Sequence, residues 1–257
     1  MKLAISGKGG VGKTTIAGAL ARVLAREHQR VLALDADSNP NLAVTLGLSR
    51  EQGAQVKSVP MGTTEWRTDE DGKAYVHLCQ PVAAFIAEYG VAAPEGVQLL
   101  VMGEVLQASA GCRCEAHALA RGITGQLVAE ADVVVLDMEA GLEHLGRGTT
   151  EHVDILLIVV EPYYRALEAA KRIRDLATQL NLAQIVVVGN RIRTPVEAAA
   201  VVQYCHNHSL ELIATIPDDE AIREAEQRGV APIDYAPQSP AMQDIRNLAT
   251  TLLARPT

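Results

Sequence analysis

The stretch Ser6-Gly-Lys-Gly-Gly-Val-Gly-Lys-Thr-Thr15 decides the fold of this chain. It matches the pattern G-x-x-x-x-G-K-[ST], with Gly7 and Gly12 as the fixed glycines and Lys13-Thr14 as the closing pair. Such a loop surrounds phosphates with backbone N–H groups, and it adds a lysine for the β- and γ-phosphates and a hydroxyl for Mg²⁺. An apolar run precedes the loop and apolar residues at helical spacing follow it, so a strand and a helix N-terminus flank the predicted anion site. The predicted phosphate-binding residues are Gly7, Gly9, Gly10, Val11, Gly12, Lys13, Thr14 and Thr15.

Length and composition limit the classes of protein that fit. The chain has 257 residues, 48% hydrophobic and 3% aromatic, which predicts one α/β domain over residues 1–257 with an aliphatic core. The net charge of -8 argues against nucleic acid or anionic lipid as a partner. Four cysteines in a chain of this length do not suggest a disulfide scaffold, and neither a signal peptide nor a membrane-spanning run is evident. We therefore expect a soluble, cytoplasmic protein.

Apolar runs alternate with helical patterns along most of the chain. This alternation predicts a doubly wound, mostly parallel sheet of about seven strands with helices on both faces. Residues 49–96 interrupt it, since glycine, proline and mixed charge predict an irregular insertion there, with a polar excursion or hairpin near Trp66 and a short helix over Ala83–Glu88. The predicted strands are Lys2–Ser6, Arg30–Asp35, Val97–Met102, Asp132–Asp137, Asp154–Val160, Gln184–Arg191 and Leu210–Ile216.

Three carboxylates follow two of these strands. Asp35 and Asp37 come at the end of the second strand, and Asp137 ends the fourth. Because sites form at the carboxyl ends of parallel strands, we expect all three beside the phosphate loop. Asp137 holds the Walker B position, a carboxylate of the Mg²⁺ shell in P-loop ATPases. The alternative for Asp35 and Asp37 is an Asx turn that ends the strand and caps a helix at Pro40, and for Asp137 a helix cap or turn.

A pair of cysteines, Cys112 and Cys114, lies in a polar segment after the third strand. Alternate side chains of an extended segment share a face, so both thiols can turn to one side. Two thiolates are too few for a closed soft-metal site, which takes four ligands. A two-fold dimer axis would supply four, or Glu115 or His117 would complete a site within one chain. The remaining alternative is two ordinary buried thiols.

The run Lys8-Gly-Gly-Val-Gly-Lys13-Thr resembles the deviant P-loop of the MinD/ParA/nitrogenase-iron-protein class of ATPases. The resemblance implies a homodimer formed around ATP, in which Lys8 reaches the nucleotide of the facing subunit and Lys13 acts within its own chain. It also implies that Asp37 positions the attacking water and that Asp35 helps to hold the Mg²⁺ shell. The catalytic residues implied are therefore Lys8, Lys13 and Asp37.

The same resemblance implies where the nucleotide base lies. In that class an asparagine at a strand end reads adenine, and Asn190 occupies such a position. The alternative for Asn190 is a strand-ending turn residue. The class also presents backbone to the base after a later strand, here at Pro217 and Asp218. The base-binding residues implied are Asn190, Arg191, Pro217 and Asp218.

Within this class, two runs closely resemble the CooC-type ATPases: Met102-Gly-Glu-Val together with Cys112-Arg-Cys114, and Asp137-Met-Glu-Ala-Gly-Leu-Glu-His-Leu-Gly-Arg-Gly148. Those proteins mature two nickel enzymes, carbon monoxide dehydrogenase and acetyl-CoA synthase. The resemblance implies a metallochaperone whose Cys-x-Cys pairs meet at the dimer interface and bind Ni²⁺ or Zn²⁺. Two alternatives stay open: a redox ATPase with an iron–sulfur cluster on the same four thiols, and a regulatory or scaffolding ATPase with inert cysteines.

Overall fold

The central sheet consists of buried apolar strands. The computed structural model describes residues 1–27, 30–68, 70, 72, 74–102, 122–127, 131–139 and 153–256. All seven predicted strands are present, and most of their residues are buried because helices cover both faces of a parallel sheet. The strands of the chain are β1 (Lys2–Gly7), β2 (Val31–Ala36), β3 (Thr64–Thr68), β4 (Ala74–Leu78), β5 (Val91–Ala92), β6 (Gln98–Val101), β7 (Val133–Met138), β8 (Ile155–Val160), β9 (Gln184–Ile192) and β10 (Glu211–Pro217).

The strand order places the phosphate loop at the middle of the sheet. Eight strands run in the order β10-β9-β8-β1-β7-β2-β6-β5, so β1 lies between β7 and β8. All neighbouring pairs are parallel except β5 with β6. The prediction of a doubly wound, mostly parallel sheet is confirmed. The eighth strand was missed because β5 has two residues, too few to show a periodic pattern.

Helices cover the two faces of the sheet and divide its apolar residues into two cores. One core contains Leu3 and Ile5 of β1 with apolar residues of the helices Lys13–Ala25 and Pro240–Leu253. The other contains Ala4 with residues of the helices Val82–Tyr89, Tyr164–Gln179 and Pro195–Asn207. This division follows from the alternation of side chains along a strand. The helices are α1 (Lys13–Ala25), α2 (Leu42–Thr45), α3 (Arg50–Gln55), α4 (Val82–Tyr89), α5 (122–127), α6 (Tyr164–Gln179), α7 (Pro195–Asn207), α8 (Glu220–Arg228), α9 (Pro232–Tyr235) and α10 (Pro240–Leu253).

Residues 49–96 form short elements at the edge of the sheet. Ser49 caps α3 through a reciprocal pair of hydrogen bonds with Gln52. The polar segment predicted near Trp66 is the antiparallel hairpin β3–β4, and Trp66 is 52% exposed. The predicted short helix is α4, and the segment ends in the edge strand β5. Within the described ranges, no helix is long and apolar enough to cross a membrane.

A buried ion pair fixes the helix that follows the phosphate loop. Arg22 of α1 is 3% exposed, and its guanidinium contacts the carboxylates of Glu95 and Asp234. The hydrogen bonds from Arg22 lower the pKa of Glu95, and partial burial of that carboxyl opposes the effect. These contacts tie α1 to the turn before β6 and to α9, on the side of the helix away from the sheet.

Candidate nucleotide site

The two fixed glycines of the loop are required by the strands beside it. A Cβ atom on Gly7 would lie 2.5 Å from the carbonyl oxygen of Val159 in β8. A Cβ atom on Gly12, whose φ is +93°, would lie 2.4 Å from Nδ2 of Asn190 in β9. Neither position admits a side chain, because the backbone of the loop packs directly against the ends of these strands. The helix α1 then begins at Lys13, and its N-terminus faces the loop.

The two lysines of the loop have different surroundings. Lys13 is buried, and its Nζ atom donates to the carbonyl oxygen of Lys8 over 3.3 Å. Burial lowers the pKa of Lys13, while the nearby carboxylates, Asp137 first among them, oppose that effect. The side chain of Lys8 is exposed at the surface of the loop. Lys13 is therefore held within its own chain, whereas Lys8 is available to an outside group.

Two buried carboxylates lie side by side on adjacent strands. Asp35 of β2 and Asp137 of β7 are paired in register, so their side chains lie on the same face of the sheet. Asp137 is 1% exposed, and burial raises its pKa to about 7 although a hydrogen bond with the Thr14 side chain opposes the rise. The Oδ1 atom of Asp137 has no hydrogen-bond partner among the described residues. A buried carboxylate oxygen without a donor, beside a hydroxyl, fits the oxygen ligands that Mg²⁺ prefers.

Asp35 and Asp37 have different surroundings. Asp35 is fully buried, and its carboxylate accepts hydrogen bonds from the backbone N–H of Leu42 at 2.9 Å and of Asp37 at 3.1 Å. Burial raises its pKa to about 6. These contacts match the turn and helix-capping alternative, with the helix starting at Leu42 rather than at Pro40. Asp37 lines the cleft together with Lys13 and Thr14.

Two connected spaces lie over the carboxyl ends of the strands. The larger is a cleft of about 470 Å³ between the phosphate loop, Asp37, α2 and the turn before α9. The smaller, of about 30 Å³, is lined by all four residues implied for base binding, Asn190, Arg191, Pro217 and Asp218. The structure thus brings these residues together beside Thr15 of α1.

Asn190 and Arg191 contact the phosphate loop itself. The Nδ2 atom of Asn190 donates to the carbonyl oxygen of Val11 at 2.8 Å. Arg191 donates to the carbonyl oxygen of Gly10 at 2.8 Å and to Oε1 of Glu161 at 2.9 Å. Glu161 is not among the site residues predicted from the sequence. Its position at the end of β8, beside the phosphate loop in a parallel sheet, was the signal that could have found it.

The predicted soft-metal residues Cys112, Cys114, Glu115 and His117 lie outside the described residues. The described cysteines are Cys79, which is exposed, and Cys205, which is buried in the core. Within the part of the chain that the structure describes, no group of three or more His, Cys, Asp or Glu side chains is arranged to hold a metal ion.

Fold and site together define a P-loop ATPase, and comparison with known proteins gives its family. Residues 2–233 match the CobQ/CobB/MinD/ParA nucleotide binding domain. The carbon monoxide dehydrogenase accessory protein CooC of Rhodospirillum rubrum is 38% identical over 92% of this chain and 91% of that protein. An uncharacterized ATP-binding protein of Methanocaldococcus jannaschii is 35% identical over 89% of this chain and 90% of that protein. The chain therefore belongs to the CobQ/CobB/MinD/ParA family of nucleotide-binding domains.

Solved structures agree on the fold. The MinD cell division protein of Aquifex aeolicus superposes with a TM-score of 0.71 at 24% identity, covering 99% of this chain and 98% of that chain. A plasmid partition protein of Borrelia burgdorferi, solved bound to AMPPNP, gives a TM-score of 0.73 at 17% identity, covering 98% and 97%. At these identities the likeness concerns the fold alone.

Proposed function

We propose that this ATPase is a dimeric metallochaperone that delivers nickel to an enzyme of the carbon monoxide dehydrogenase or acetyl-CoA synthase type. The observation that carries the proposal is the 38% identity, over 92% of the chain, to a protein named as an accessory of carbon monoxide dehydrogenase. The Cys112-Arg-Cys114 pair supplies soft ligands suited to such a cargo.

The phosphate site supports hydrolysis of Mg-ATP within this proposal. Thr14 and Asp137 would hold Mg²⁺, with Asp35 reaching it through water, and the ion would neutralise charge on the β- and γ-phosphates. Lys13 and the loop amides would bind the same phosphates. Asp37, which lines the cleft, would orient the attacking water for in-line displacement.

The exposed Lys8 side chain supports a role across a dimer. Because Lys13 already serves the phosphate site from within the chain, a second lysine is free to reach the nucleotide of a facing subunit. Two subunits that meet at their phosphate loops would close around ATP. The base would lie beside Pro217 and Asp218, with Asn190 and Arg191 at the loop side of the same pocket.

The metal site is proposed at the seam of that dimer. One Cys-x-Cys pair gives two thiolates, and a two-fold axis doubles them to the four that a closed thiolate site needs. Binding or hydrolysis of ATP would change the seam and release Ni²⁺, or Zn²⁺ if that is the bound ion, to the client enzyme.

Anaerobic Ni²⁺ titration of the protein, with size determination on the same samples, tests the proposal. We expect one metal per dimer for the wild type and loss of tight binding in Cys112→Ser. The matched control is Cys79→Ser, since Cys79 is an exposed cysteine in another segment. Equal metal affinity in Cys112→Ser and the wild type would contradict the seam site. A brown protein with strong visible absorption after anaerobic purification would favour the iron–sulfur alternative.

A separate measurement tests the dimer. Lys8→Ala should abolish ATP-dependent dimerisation and reduce hydrolysis, while ATP binding by the monomer persists through Lys13. Normal hydrolysis and normal ATP-dependent dimerisation by Lys8→Ala would contradict the role of Lys8 across the interface.

A further inference from the structure

Arg191, the residue before the last of β9, has an unusual backbone conformation. Its φ is +56°, in the left-handed region that residues with a side chain seldom occupy. Residues with such strained backbone angles are concentrated at functional sites. In an extended strand, consecutive side chains point to opposite faces of the sheet. Here Asn190 and Arg191 are consecutive, and Arg191 has a left-handed backbone, yet both donate to carbonyl oxygens of the phosphate loop.

The atoms that these side chains hold are carbonyl oxygens of the loop. Arg191 holds the oxygen of Gly10, Asn190 that of Val11, and Lys13 that of Lys8. In a planar trans peptide the C=O and N–H bonds point in opposite directions. A donor that holds the Gly10 carbonyl on one side therefore directs the N–H of Val11 to the other side, and the contact at Val11 does the same for the N–H of Gly12.

Glu161 holds the guanidinium that makes the first of these contacts. The Oε1 atom of Glu161 lies 2.9 Å from the same nitrogen of Arg191 that donates to Gly10. The Glu161 side chain is 19% exposed and that of Arg191 36%, so the pair is partly shielded from water. Arg191 thus links the end of β8 to the loop that follows β1, its neighbour in the sheet.

We propose that Glu161 and Arg191 are positioning residues for the phosphate loop. Glu161 orients the guanidinium, the guanidinium fixes the Gly10 carbonyl, and the fixed peptide aims the Val11 N–H at the phosphates before nucleotide arrives. The proposal rests on phosphate binding by this loop and is independent of the metal that the protein delivers. It differs from a direct contact between Arg191 and nucleotide, since here Arg191 acts through Gly10.

Glu161→Gln distinguishes positioning of Gly10 from a direct contact with phosphate, because the two roles predict opposite changes in polyphosphate affinity. If Arg191 attracts phosphate directly, Glu161→Gln frees its positive charge and polyphosphate binds as tightly or more tightly. If Arg191 positions Gly10, Glu161→Gln loosens the guanidinium and polyphosphate binds more weakly. Arg191→Lys supplies the companion change, because lysine keeps the charge but lacks the planar fork of donors.

The test measures binding of inorganic tripolyphosphate and of ATP by calorimetry, with single-turnover hydrolysis on the same variants. We expect Glu161→Gln and Arg191→Lys each to weaken tripolyphosphate binding roughly ten- to 150-fold, the range of one hydrogen bond to a charged group. The double variant should be no more than about twofold weaker than the weaker single variant, because both act through one contact. The variants should lose more in tripolyphosphate affinity than in the single-turnover rate of hydrolysis of bound ATP.

The matched controls are Arg174→Lys and Asp175→Asn. Arg174 also donates to two backbone carbonyls, at 2.9 and 3.0 Å, and pairs with Asp175, but on α6 away from the loop. We expect both controls to bind tripolyphosphate within about twofold of the wild type.

Three results would overturn the proposal. Unchanged or tighter tripolyphosphate binding by Glu161→Gln would assign Arg191 a direct charge effect. Loss of ATP binding with unchanged tripolyphosphate binding in Arg191→Lys would assign it to the base. Absence of tripolyphosphate binding by the wild type would mean that the loop is not preformed. Glu161→Gln keeps the size and shape of the side chain, so it decides the matter if Arg191→Lys fails to fold. A wild type that binds tripolyphosphate but hydrolyses no ATP would refute the mechanism under Proposed function and leave loop positioning testable.

Discussion

Replacing Asp137 by asparagine should make the nucleotide-free protein more stable while removing its function. Asp137 is a buried carboxyl whose pKa is raised to about 7, chiefly by burial and also by the neighbouring Asp35. Its Oδ1 atom lacks a hydrogen-bond partner among the described residues. The charged form is therefore unfavourable in the folded protein until a cation binds, and asparagine has nearly the same shape without the charge.

The size of the effect follows from linkage. Between its ordinary value of 3.8 and about 7, the folded protein keeps a proton that the unfolded chain has released, so stability falls as pH rises through this range. Above about pH 7 both states are ionised and the loss is complete. Each tenfold change in proton affinity is ~1.4 kcal/mol, so the stability advantage of Asp137→Asn should grow by ~2–3 kcal/mol between pH 5 and pH 8. For a chain of this size that is roughly 5–10 °C in melting temperature.

Thermal unfolding at pH 5 and pH 8 measures this, on protein purified without nucleotide and again after addition of Mg-ATP. The wild type should gain stability from Mg-ATP by mass action, whereas Asp137→Asn should gain little and should not hydrolyse ATP. The control is Asp132→Asn, which removes a half-exposed carboxylate just before the same strand and should leave the pH dependence unchanged. An Asp137→Asn variant that is no more stabilised at pH 8 than at pH 5 would refute the reasoning.

Three further pairs of substitutions probe the loop and the contacts that support it, each measured by chemical unfolding of the nucleotide-free protein. Gly12→Ala should destabilise by ~1–3 kcal/mol more than Gly10→Ala, since both have positive φ but only Gly12 has an atom within reach of a new Cβ; equal costs would mean that the Asn190 side chain moves aside. Glu95→Ala should lower the free energy of unfolding by ~3 kcal/mol, because it leaves the buried guanidinium of Arg22 without this carboxylate partner. Asp234→Ala should lower it less, because that carboxylate is 44% exposed; the reverse order would contradict this. Arg191→Gly should be ~1 kcal/mol more stable than Arg191→Ala, since glycine adopts φ +56° without strain; equal stability would show that the backbone relaxes.

Much of the architecture could be predicted from the sequence because the signals are local. A parallel strand covered on both faces is a continuous apolar run, and such runs at Ile155–Val160 and Val133–Met138 mark their strands within one or two residues. The loop pattern names its own glycines, and the structure gives the steric reason for them at Gly7 and Gly12. The position of Asp137 opposite the loop follows from the parallel topology alone.

The remaining features depend on contacts between distant segments. Asp35 serves the backbone of Leu42 and Asp37, and only the folded turn distinguishes this from a carboxylate that faces the cleft. The contact of Arg191 with Gly10 joins residues 181 positions apart and requires a left-handed residue that no propensity favours for arginine. The sequence pattern points to the neighbourhood of these side chains, whereas their partners are decided by the exact ends of β8 and β9.

The free protein holds several features that a ligand would relieve. Asp35 and Asp137 place two carboxyls at the same register on adjacent strands, with their pKa values raised to about 6 and about 7. Lys13 uses its ammonium on a carbonyl of its own loop. A bound cation would stabilise the two carboxylates, and bound phosphates would give Lys13 an anionic partner. Part of the binding free energy would then appear as added stability of the loop, α1 and the turn after β2. In the proposed dimer the subunits meet at the phosphate loop. A ligand can shift the equilibrium between monomer and dimer only by its difference in affinity for the two states. Because the buried carboxyls and Lys13 lack their ligands in the free protein, the difference in affinity is large. A dimer that forms and separates under the control of ATP requires such a difference.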